Sequence, residues 1–307
     1  MNYVLAEANI GLMKAPLTDP SMAQLAARLD DLHGLAERSP GFVWRRRGET
    51  IAPAELRVFG DVFEPFDPAR LFFTMSVWRD VDALRDFVYA TVHVEVLRQK
   101  RAWMDEIGRP GVALWWIADA HRPTVAEAAV RLRALRDHGP SARAFNFGNR
   151  FPSPVVTLTR EAVTSVDAQA LIAELDAEIQ RRYPGAPVHG LGPADLSDPE
   201  FSFYVARVDG TPAACGALRR REPGVVEVKR MYVRPVHRGL GLARAILGAL
   251  EGRARALRVG RVLLETGEAQ PEAIALYRSA GYTDIPRFGE YVPIAVSLCF
   301  EKRLHVG

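Results

Sequence analysis

The chain has 307 residues, 48% of them hydrophobic, and a formal net charge of +3, which indicates two ordinary domains with their own cores. It contains no block of five or more Lys and Arg residues and no apolar run of about 18 residues, so we expect neither nucleic-acid binding nor a membrane span. Glu7 and Asn9 interrupt the first apolar segment, and without a signal-peptide pattern a cytoplasmic protein is expected.

The first 150 residues predict four strands and three helices. The expected strands are Tyr3–Leu12, one that opens at Gly41, Leu71–Trp78 and Val112–Ala118, and the expected helices are Ser21–Glu37, about 80–107 and Pro123–Asp137. This β-α-β-β-α-β order with a terminal helix is that of ferredoxin-like folds, the building block of dimeric α/β barrels. An α+β architecture is therefore predicted for this part.

Three stretches in this region resemble a bacterial family of uncharacterised function that is related to the dimeric α/β-barrel proteins, which include small monooxygenases. They are Ser39–Trp44, His93 to Trp116 and His121–Pro123. The resemblance covers residues 1 to about 150 and implies a fold but no dependable activity. The predicted sheet carries Trp44, Trp78, Trp115 and Trp116. Two helices would not cover so apolar a sheet, and we expect this domain either to form a homodimer or to dock against the second domain.

Metal and disulfide chemistry are not expected anywhere in the chain. His93 has no His, Asp or Glu three or four residues further along its predicted helix, so no metal site is predicted. The two cysteines, Cys215 and Cys299, are too few for a disulfide framework and lack a C-x-x-C spacing. Both are predicted to be small buried hydrophobic side chains.

Residues 141 to about 154 hold the boundary, which gives the domains 1–150 and 151–307. The second domain is predicted to contain helices Asp167–Tyr183 and Leu242–Leu257 and strands Val155–Thr164, Phe201–Val208, Ala213–Arg219, Val225–Val233, Arg261–Thr266, about Tyr291–Ile294 and Val296–Arg303. Asp209-Gly210 is a hairpin turn signal. The segment Pro184–Pro199 is too irregular for a helix or strand.

The stretch Val225–Arg244 predicts a strand, a glycine-bearing turn and a helix. The first N–H groups of such a helix lack partners and carry the positive end of the dipole, so a phosphate can dock there. Gly239 and Gly241 permit a close approach to the backbone. The cations of this stretch are Lys229, Arg230, Arg234, Arg238 and Arg244. Against Glu227 alone they give a net charge of +4, which favours a polyanionic ligand.

The turn fits neither a P-loop, which needs Lys and Ser or Thr after the last glycine, nor a dinucleotide fingerprint, which needs a glycine where Arg244 stands. Residues 238–243, RGLGLA, instead match Q/R-x-x-G-x-G/A, and here the chain resembles the GNAT superfamily of acyl-CoA N-acyltransferases. Residues 270–282 resemble that family's N-x-x-A-x-x-x-Y-x-x-x-G-F/Y signature, with Gln270 in place of Asn. The resemblance implies a mixed-sheet GNAT domain after the ferredoxin-like one.

The GNAT resemblance also implies roles for individual residues. Glu227, eleven residues before Arg238, stands where many members carry a general base, and Tyr277 stands where the family keeps its general acid. The implied acetyl-CoA contacts are Met231, Tyr232, Val233, Arg238, Gly239, Leu240, Gly241, Leu242, Ala243, Arg244, Gln270 and Ala273. Backbone N–H groups of Met231 and Val233 would polarise the thioester carbonyl. The expected acceptor is a primary amine, of a small molecule because the acceptor loop is short.

Other interpretations remain open at this point. Glu227 is alternatively a surface carboxylate paired with Lys229, and Tyr277 a core tyrosine with a wet hydroxyl. Arg244 is either part of the phosphate cradle or a solvent-facing residue of the first turn. The second domain is alternatively an acyl-CoA-binding sensor without turnover, and the first an oxygenase or ligand-binding barrel with a separate role.

Overall fold

The computed structural model describes residues 1–49, 51, 55–57, 67–90, 93–185, 190 and 198–305, without the side chains of 93–97. Two compact units are present, an N-terminal unit of Met1–Pro154 and a C-terminal unit of Val155–Gly307. Each has its own hydrophobic cores. Much of the predicted irregular segment Pro184–Pro199 lies outside the described residues.

The N-terminal unit is an antiparallel sheet with helices. Its strands are β1 (Tyr3–Met13), β2 (Phe42–Arg45), β3 (Leu71–Trp78), β4 (Met104–Asp105) and β5 (Val112–Ala118), and its helices are α1 (Ala23–Arg38), α2 (Val81–Ala90), α3 (His93–Trp103) and α4 (Val125–His138). The central strand β1 pairs antiparallel with β3 on one side and β5 on the other, and β2 pairs with β3. The resulting strand order is β5-β1-β3-β2, with the short β4 beside the end of β1.

The two faces of β1 differ in character because side chains alternate along a strand. Ala6, Ala8 and Ile10 are at most 2% exposed and pack in a core with α4. Helix α4 begins at a capping box. The Thr124 hydroxyl accepts the backbone N–H of Glu127, and the Glu127 carboxylate accepts the backbone N–H of Thr124. The alternate residues, with Glu7 among them, face the side of the sheet covered by α1 and α2.

Sequence reasoning predicted β3 and β5 to the residue, and it was wrong about the end of one helix. The helix expected from about 80 to 107 is described as α2 and α3, on either side of residues 91–92, which lie outside the described part. The second helix ends at Trp103 because Met104 pairs with β1. Trp78, Trp115 and Trp116 are each at most 6% exposed. Three of the four tryptophans from which a homodimer was inferred are thus covered within the unit, and Trp44 is partly buried.

The C-terminal unit is a seven-stranded mixed sheet with helices on both faces. Its strands are β6 (Val156–Glu161), β7 (Ser202–Val208), β8 (Thr211–Glu222), β9 (Val225–Val233), β10 (Arg261–Gly267), β11 (Thr283–Ile285) and β12 (Ser297–Arg303), and its helices are α5 (Val166–Arg182), α6 (Leu242–Ala256) and α7 (Pro271–Ser279). The strand order is β6-β7-β8-β9-β10-β12-β11. The pair β9 and β10 is parallel, and every other pair is antiparallel.

Residues of β9 contribute to both faces of this sheet. Val226 and Val228 pack in one core with α6 and α7, while Tyr232 packs with α5 in another. Cys215 and Cys299 are at most 2% exposed, as predicted for buried hydrophobic side chains. The strand expected at about Tyr291–Ile294 is wrong, because Gly289–Tyr291 forms a 3-10 turn and the strand that pairs with β12 lies earlier, at β11.

Candidate active site

A gap opens between β9 and β10 in the middle of the sheet. Their parallel ladder runs from Val225 and Arg261 to Val228 and Leu264 and ends there. Strand β9 continues for five more residues and β10 for three, without pairing to each other. Parted strands leave backbone N–H groups without a neighbour, and these groups are available to a ligand.

The far side of β9 remains paired to β8, and this pairing fixes which N–H groups face the gap. Arg234 donates its N–H to the carbonyl oxygen of Ala213 at 2.9 Å, on the β8 side. Because N–H groups alternate along a strand, those of Val233 and Met231 point toward the gap. Tyr232 instead packs its ring against α5. The two residues expected to polarise a carbonyl therefore present their N–H groups at the parted strands.

A β-bulge tightens the approach of β9 to helix α6. The register between β8 and β9 shifts opposite Gly216, where Arg230 takes a positive φ of 56°. A Cβ at Gly216 would lie 2.5 Å from Cγ2 of Ile246 and 2.7 Å from the sulfur of Met231. Glycine at position 216 is thus required for the helix to sit against the bulged strand.

The turn from β9 into α6 has the geometry of an anion site. It contains a 3-10 turn, Pro235–His237, and then Gly239 and Gly241 with φ of 84° and 73°. Gly241 is the N-cap of α6, and no side chain caps the helix. Leu242 is buried and anchors the first turn in the core, while Ala243 and Leu240 are partly buried beside it. The N–H groups of this first turn have no partner within the helix.

The positive charge of this turn is mostly neutralised by helix α5, which the sequence argument did not foresee. Carboxylates of α5 pair with three of the arginines. The pairs are Arg230 with Asp176, Arg234 with Glu174 at 2.7 Å and Arg238 with Glu178 at 2.6 Å. The predicted net charge of +4 is therefore wrong as a measure of the field at the turn. Arg244 is exposed and donates to the Ser279 hydroxyl at 2.5 Å.

Glu227 is fully buried, so the interpretation as a surface carboxylate is wrong. It lies beside Arg219 of β8 in the strand register, and Nη2 and Nε of Arg219 donate to its Oε2 at 2.7 and 2.9 Å. The Tyr291 hydroxyl donates to Oε1 at 2.6 Å. Lys229, the partner expected from the sequence, is further away, at 3.8 Å from Oε1.

These groups form a continuous buried network. Lys229 donates to the Tyr291 hydroxyl at 2.7 Å, which in turn donates to Glu227. Burial lowers the pKa of Lys229 and raises that of Tyr291. Burial raises the pKa of Glu290, but hydrogen bonds from the backbone N–H of Glu290 and from Arg221 and Arg219 lower it to about 2. A proton can thus move between Glu227 and its surroundings through one tyrosine hydroxyl.

Tyr277 lies on the opposite face of the sheet from Glu227. It is 4% exposed and packs in the core with α6, with its ring 6.2 Å from that of Phe300 and 6.0 Å from that of Tyr282. Glu227 stands between Val226 and Val228, which face the Tyr277 core, and so points away from it. Burial raises the pKa of Tyr277, with a further contribution from Glu265, and keeps the hydroxyl protonated.

Glu265 connects the two faces electrostatically, and sequence reasoning missed it. It is the first β10 residue beyond the paired ladder, and Ser297 donates to it at 2.5 Å. Its charge raises the pKa of Tyr277 and, after burial and Glu227, that of Tyr291. Arg219 and Tyr291 were missed as well. A carboxylate inside the apolar strand RVLLETG was the available signal for Glu265, whereas the partners of Glu227 have no local signature.

The remaining predicted contacts lie around the start of α7. Gln270 is its N-cap residue and makes no side-chain capping bond, and Ala273 is partly buried on the α6 core. Helix α5 reaches this point as well, because Tyr183 accepts the Ala269 N–H at 2.8 Å and Arg182 pairs with Glu272. The cofactor contacts predicted from the sequence thus flank the gap, on the β9–α6 turn and at the β10–α7 turn.

Within the described part of the chain, no group of three or more His, Cys, Asp or Glu side chains is placed to hold a metal ion. Over the same residues, no helix combines the length and apolar character that crossing a membrane requires.

Two families match this chain, one in each half. Residues 4–161 match the family described as "Domain of unknown function (DUF3291)", and residues 169–282 match the "Acetyltransferase (GNAT) family". The C-terminal match includes the gap, the glycine turn and α7.

Among similar proteins is the "IAA acetyltransferase" of Azospirillum brasilense, 42% identical over 152 residues, which are 49% of this chain and 99% of that protein. The "N-alpha-acetyltransferase RimI" of Mycobacterium tuberculosis is 34% identical over 49% of this chain and 94% of its own length. A solved structure, the putative acyl-CoA N-acyltransferase of Klebsiella pneumoniae, is 36% identical, covers 49% of this chain and 98% of its own, and has a TM-score of 0.42.

Proposed function

We propose a substrate class and a mechanism for a chain that belongs, through its C-terminal unit, to the GNAT acetyltransferase family and, through its N-terminal unit, to the DUF3291 family. It is an acyl-CoA-dependent N-acyltransferase. The proposed reaction moves an acetyl group from acetyl-CoA to a primary amine of a small molecule. The parting of β9 from β10 beside an uncapped helix carries this proposal.

The residues around the gap fit acetyl-CoA. When bound, it supplies the acetyl group as a thioester. The first-turn N–H groups of α6, with Arg238, Gly239 and Gly241, would hold its pyrophosphate, since both glycines bring bare backbone to the surface of the turn. Arg238 would exchange Glu178 for phosphate oxygens. The N–H groups of Met231 and Val233 would donate to the thioester oxygen as negative charge develops there.

The general base in this proposal is Glu227, acting through Tyr291. The carboxylate is fully buried, and the Tyr291 hydroxyl donates to it at 2.6 Å. As the Tyr291 hydroxyl takes the proton of the amine, it passes its own proton to Oε1 of Glu227, so one proton moves from the amine to the carboxyl group. Lys229, whose pKa burial lowers, orients that hydroxyl from the other side.

The general acid in this proposal is Tyr277. The departing thiolate needs a proton, and Tyr277 lies on the face of the sheet opposite to Glu227, where the charge of Glu265, the first β10 residue past the paired ladder, contributes to its raised pKa. Burial raises its pKa, so the hydroxyl carries its proton throughout the working pH range. An acid and a base on opposite faces suit a thioester that passes between the parted strands, with the amine on one side and the sulfur on the other.

The N-terminal unit supports the proposal of a ferredoxin-like fold through its strand order. Two βαβ segments with antiparallel neighbours give β5-β1-β3-β2, and the central pair is β1 with β3. The boundary proposed from the sequence, at about residue 150, lies four residues before the end of the compact N-terminal unit. Dimerisation through this unit remains a prediction, to be measured by light scattering.

Acetyl-CoA-dependent release of free thiol, measured over a panel of small primary amines and a basic peptide, tests the function. We expect turnover with at least one small amine and none with the peptide. Saturating CoA should also raise the melting temperature of the C-terminal unit, because a ligand at about 100 times its Kd adds roughly 2.7 kcal/mol. A protein that CoA does not stabilise would refute the site, and turnover with the peptide alone would refute the acceptor class.

A further inference from the structure

The N-terminal unit encloses a cavity of about 250 Å³ on the face of its sheet opposite to the α4 core. The floor is formed by alternate residues of β1 and β3, and the walls come from α1, α2 and α3. The apolar side chains that enclose it include Leu25, Leu29, Phe42, Trp78, Phe87 and Trp103. A cavity of roughly 150 Å³ holds benzene, so this one has room for a larger aromatic molecule.

The floor of this cavity is polar. Glu7 and Asn9 of β1 lie opposite Ser76 and Thr74 of β3, and all four side chains line the cavity. Glu7 and Asn9 keep some accessible surface, whereas Ala6, Ala8 and Ile10 between and beside them are buried. That accessible surface belongs to the floor of the cavity. A polar strip on the floor of an apolar chamber is the arrangement of a small-molecule site.

Glu7 is the ionisable group on this floor. Its Oε2 accepts the Ser76 hydroxyl at 2.8 Å, and Ser76 in turn accepts the Trp78 ring N–H at 2.9 Å. In the described part of the chain, no donor reaches its other oxygen, Oε1, and no hydrogen bond reaches the Asn9 amide. Burial raises the pKa of Glu7 to about 7, against the lowering effect of the Ser76 hydrogen bond. A buried carboxyl group without a cation is costly, and a ligand that brings one relieves the cost.

Other charged groups that line the cavity have their own partners or lie at its rim. His33 pairs with Glu49 at 3.2 Å, and burial, followed by Arg45, lowers the pKa of His33. Arg45 pairs with Glu37 at 2.9 Å, and Arg46 with Glu55 at 3.1 Å. Lys100 is exposed. No ion pair or hydrogen bond joins any of these groups to Glu7 among the described residues.

We propose that this cavity binds a small aromatic or aliphatic amine, with the apolar body among the side chains of α1, α2 and α3 and the ammonium group on Oε1 of Glu7. The Asn9 amide oxygen accepts a second N–H of the ammonium group. This binding site is separate from the acetyl-transfer reaction and does not depend on the proposed function of the C-terminal unit.

Tryptophan fluorescence of the full chain tests this proposal, because all five tryptophans lie in the N-terminal unit, and Trp78 and Trp103 line the cavity. The probes are 2-phenylethylamine, its neutral isostere 2-phenylethanol and the anion phenylacetate. We expect saturable binding of the amine at least tenfold tighter than that of the alcohol, and no saturation with phenylacetate. The amine affinity should rise about tenfold from pH 6 to pH 8 as Glu7 ionises, while the alcohol affinity stays constant.

Two variants test whether Glu7 is responsible for the amine affinity and its pH dependence. Glu7→Gln should weaken amine binding to the level of the alcohol and remove its pH dependence, which separates Glu7 from His33. Asp86→Asn, which removes an exposed carboxylate of α2, should leave the amine affinity unchanged. The pH dependence of the unaltered chain gives the same test without a substitution. Tighter binding of phenylacetate than of the amine, an amine affinity independent of pH, or no binding of any probe would overturn the proposal.

Discussion

The two units bury carboxyl groups in opposite ways. Glu227 of the C-terminal unit is surrounded by donors, with Arg219 on one oxygen and Tyr291 on the other. Glu7 of the N-terminal unit has the Ser76 hydroxyl and no cation, and burial raises its pKa to about 7. Both lie on central strands and are flanked by apolar residues. The two sites therefore differ in their partners: Glu227 has a cation within hydrogen-bonding distance, and Glu7 has none among the described residues.

Tyr277 belongs with Glu7 in this comparison. Burial raises the pKa of both groups, to about 7 for Glu7, and neither has a cation beside it in the described residues. A buried group with a raised pKa can serve a ligand in two ways: it can give its proton to the ligand, or it can lose the proton and pair with a cationic ligand. In the C-terminal unit the proposed ligand group is a thiolate, and in the N-terminal unit it is an ammonium ion.

Tyr277→Phe tests whether the buried Tyr277 hydroxyl acts as the general acid. If the hydroxyl protonates the leaving thiolate, the substitution should lower kcat by about 10²- to 10⁴-fold and leave the Kd of acetyl-CoA nearly unchanged. Steady-state kinetics and CoA titration measure the two quantities. Tyr282→Phe is the matched control, because its ring lies 6.0 Å away in the same core, and it should retain full kcat. A fully active Tyr277→Phe enzyme would move the acid role to water or another side chain.

Glu227→Gln set against Glu7→Gln tests whether partners decide the state of a buried acid. Glu227→Gln removes one of the two carboxylates that Arg219 contacts and leaves Glu290 as the other, so it should cost about 1–3 kcal/mol in the unfolding free energy of its unit. Glu7→Gln should cost little at pH 8. The folded-state pKa of Glu7 is raised, so its stabilising contribution is complete below about pH 4.5 and lost as the pH rises through 7, a change of about 3 kcal/mol that Gln lacks.

Denaturant unfolding of the three proteins at pH 5 and pH 8 measures these differences. Relative to wild type, Glu7→Gln should gain stability between the two pH values, whereas Glu227→Gln should be destabilised at both. Equal losses for the two variants would break the comparison. The kcat of Glu227→Gln, taken well below its melting temperature, separates the proposed base from a purely structural ion pair, which would leave the rate unchanged.

What the sequence predicted well was local. Strands β3, β5 and β9 follow from β-branched and aromatic runs bounded by turn residues, and the glycine turn at 239–241 follows from its own chemistry. The positions of Glu227 and Tyr277 came from family spacing, and their roles remain proposals. These features depend on residues that are close together in the chain.

What it missed depends on residues that are distant in the chain. Tyr291 reaches Glu227 across 64 positions, and Glu178 reaches Arg238 across 60. No pattern within a window of 10 to 20 residues encodes such pairs, so the field of the phosphate turn was overestimated. The cavity above Glu7 was missed for the same reason, since residues from three helices and several strands line it. Glu7 served in the sequence only as an interruption of an apolar segment.

The charge that α5 supplies at the phosphate turn leads to the last and smallest prediction. Glu178 accepts from Arg238 at 2.6 Å and from Arg182 at 2.8 Å, so phosphate oxygens must compete with it for Arg238. Glu178→Gln removes the competing charge and should tighten CoA binding by about 2- to 5-fold, the weight of a partly exposed ion pair. Calorimetric titration at low and high salt measures the gain, which should shrink as salt screens it.

Glu174→Gln is the matched control, because it releases Arg234 from the same helix without touching the proposed cradle. Its CoA affinity should equal that of the wild type. If Arg238 is the residue that Glu178 restrains, the gain should vanish in Glu178→Gln combined with Arg238→Ala, since the two changes then act on one interaction. An equal gain in Glu174→Gln would instead point to the overall charge of α5, and the specific competition at Arg238 would be rejected.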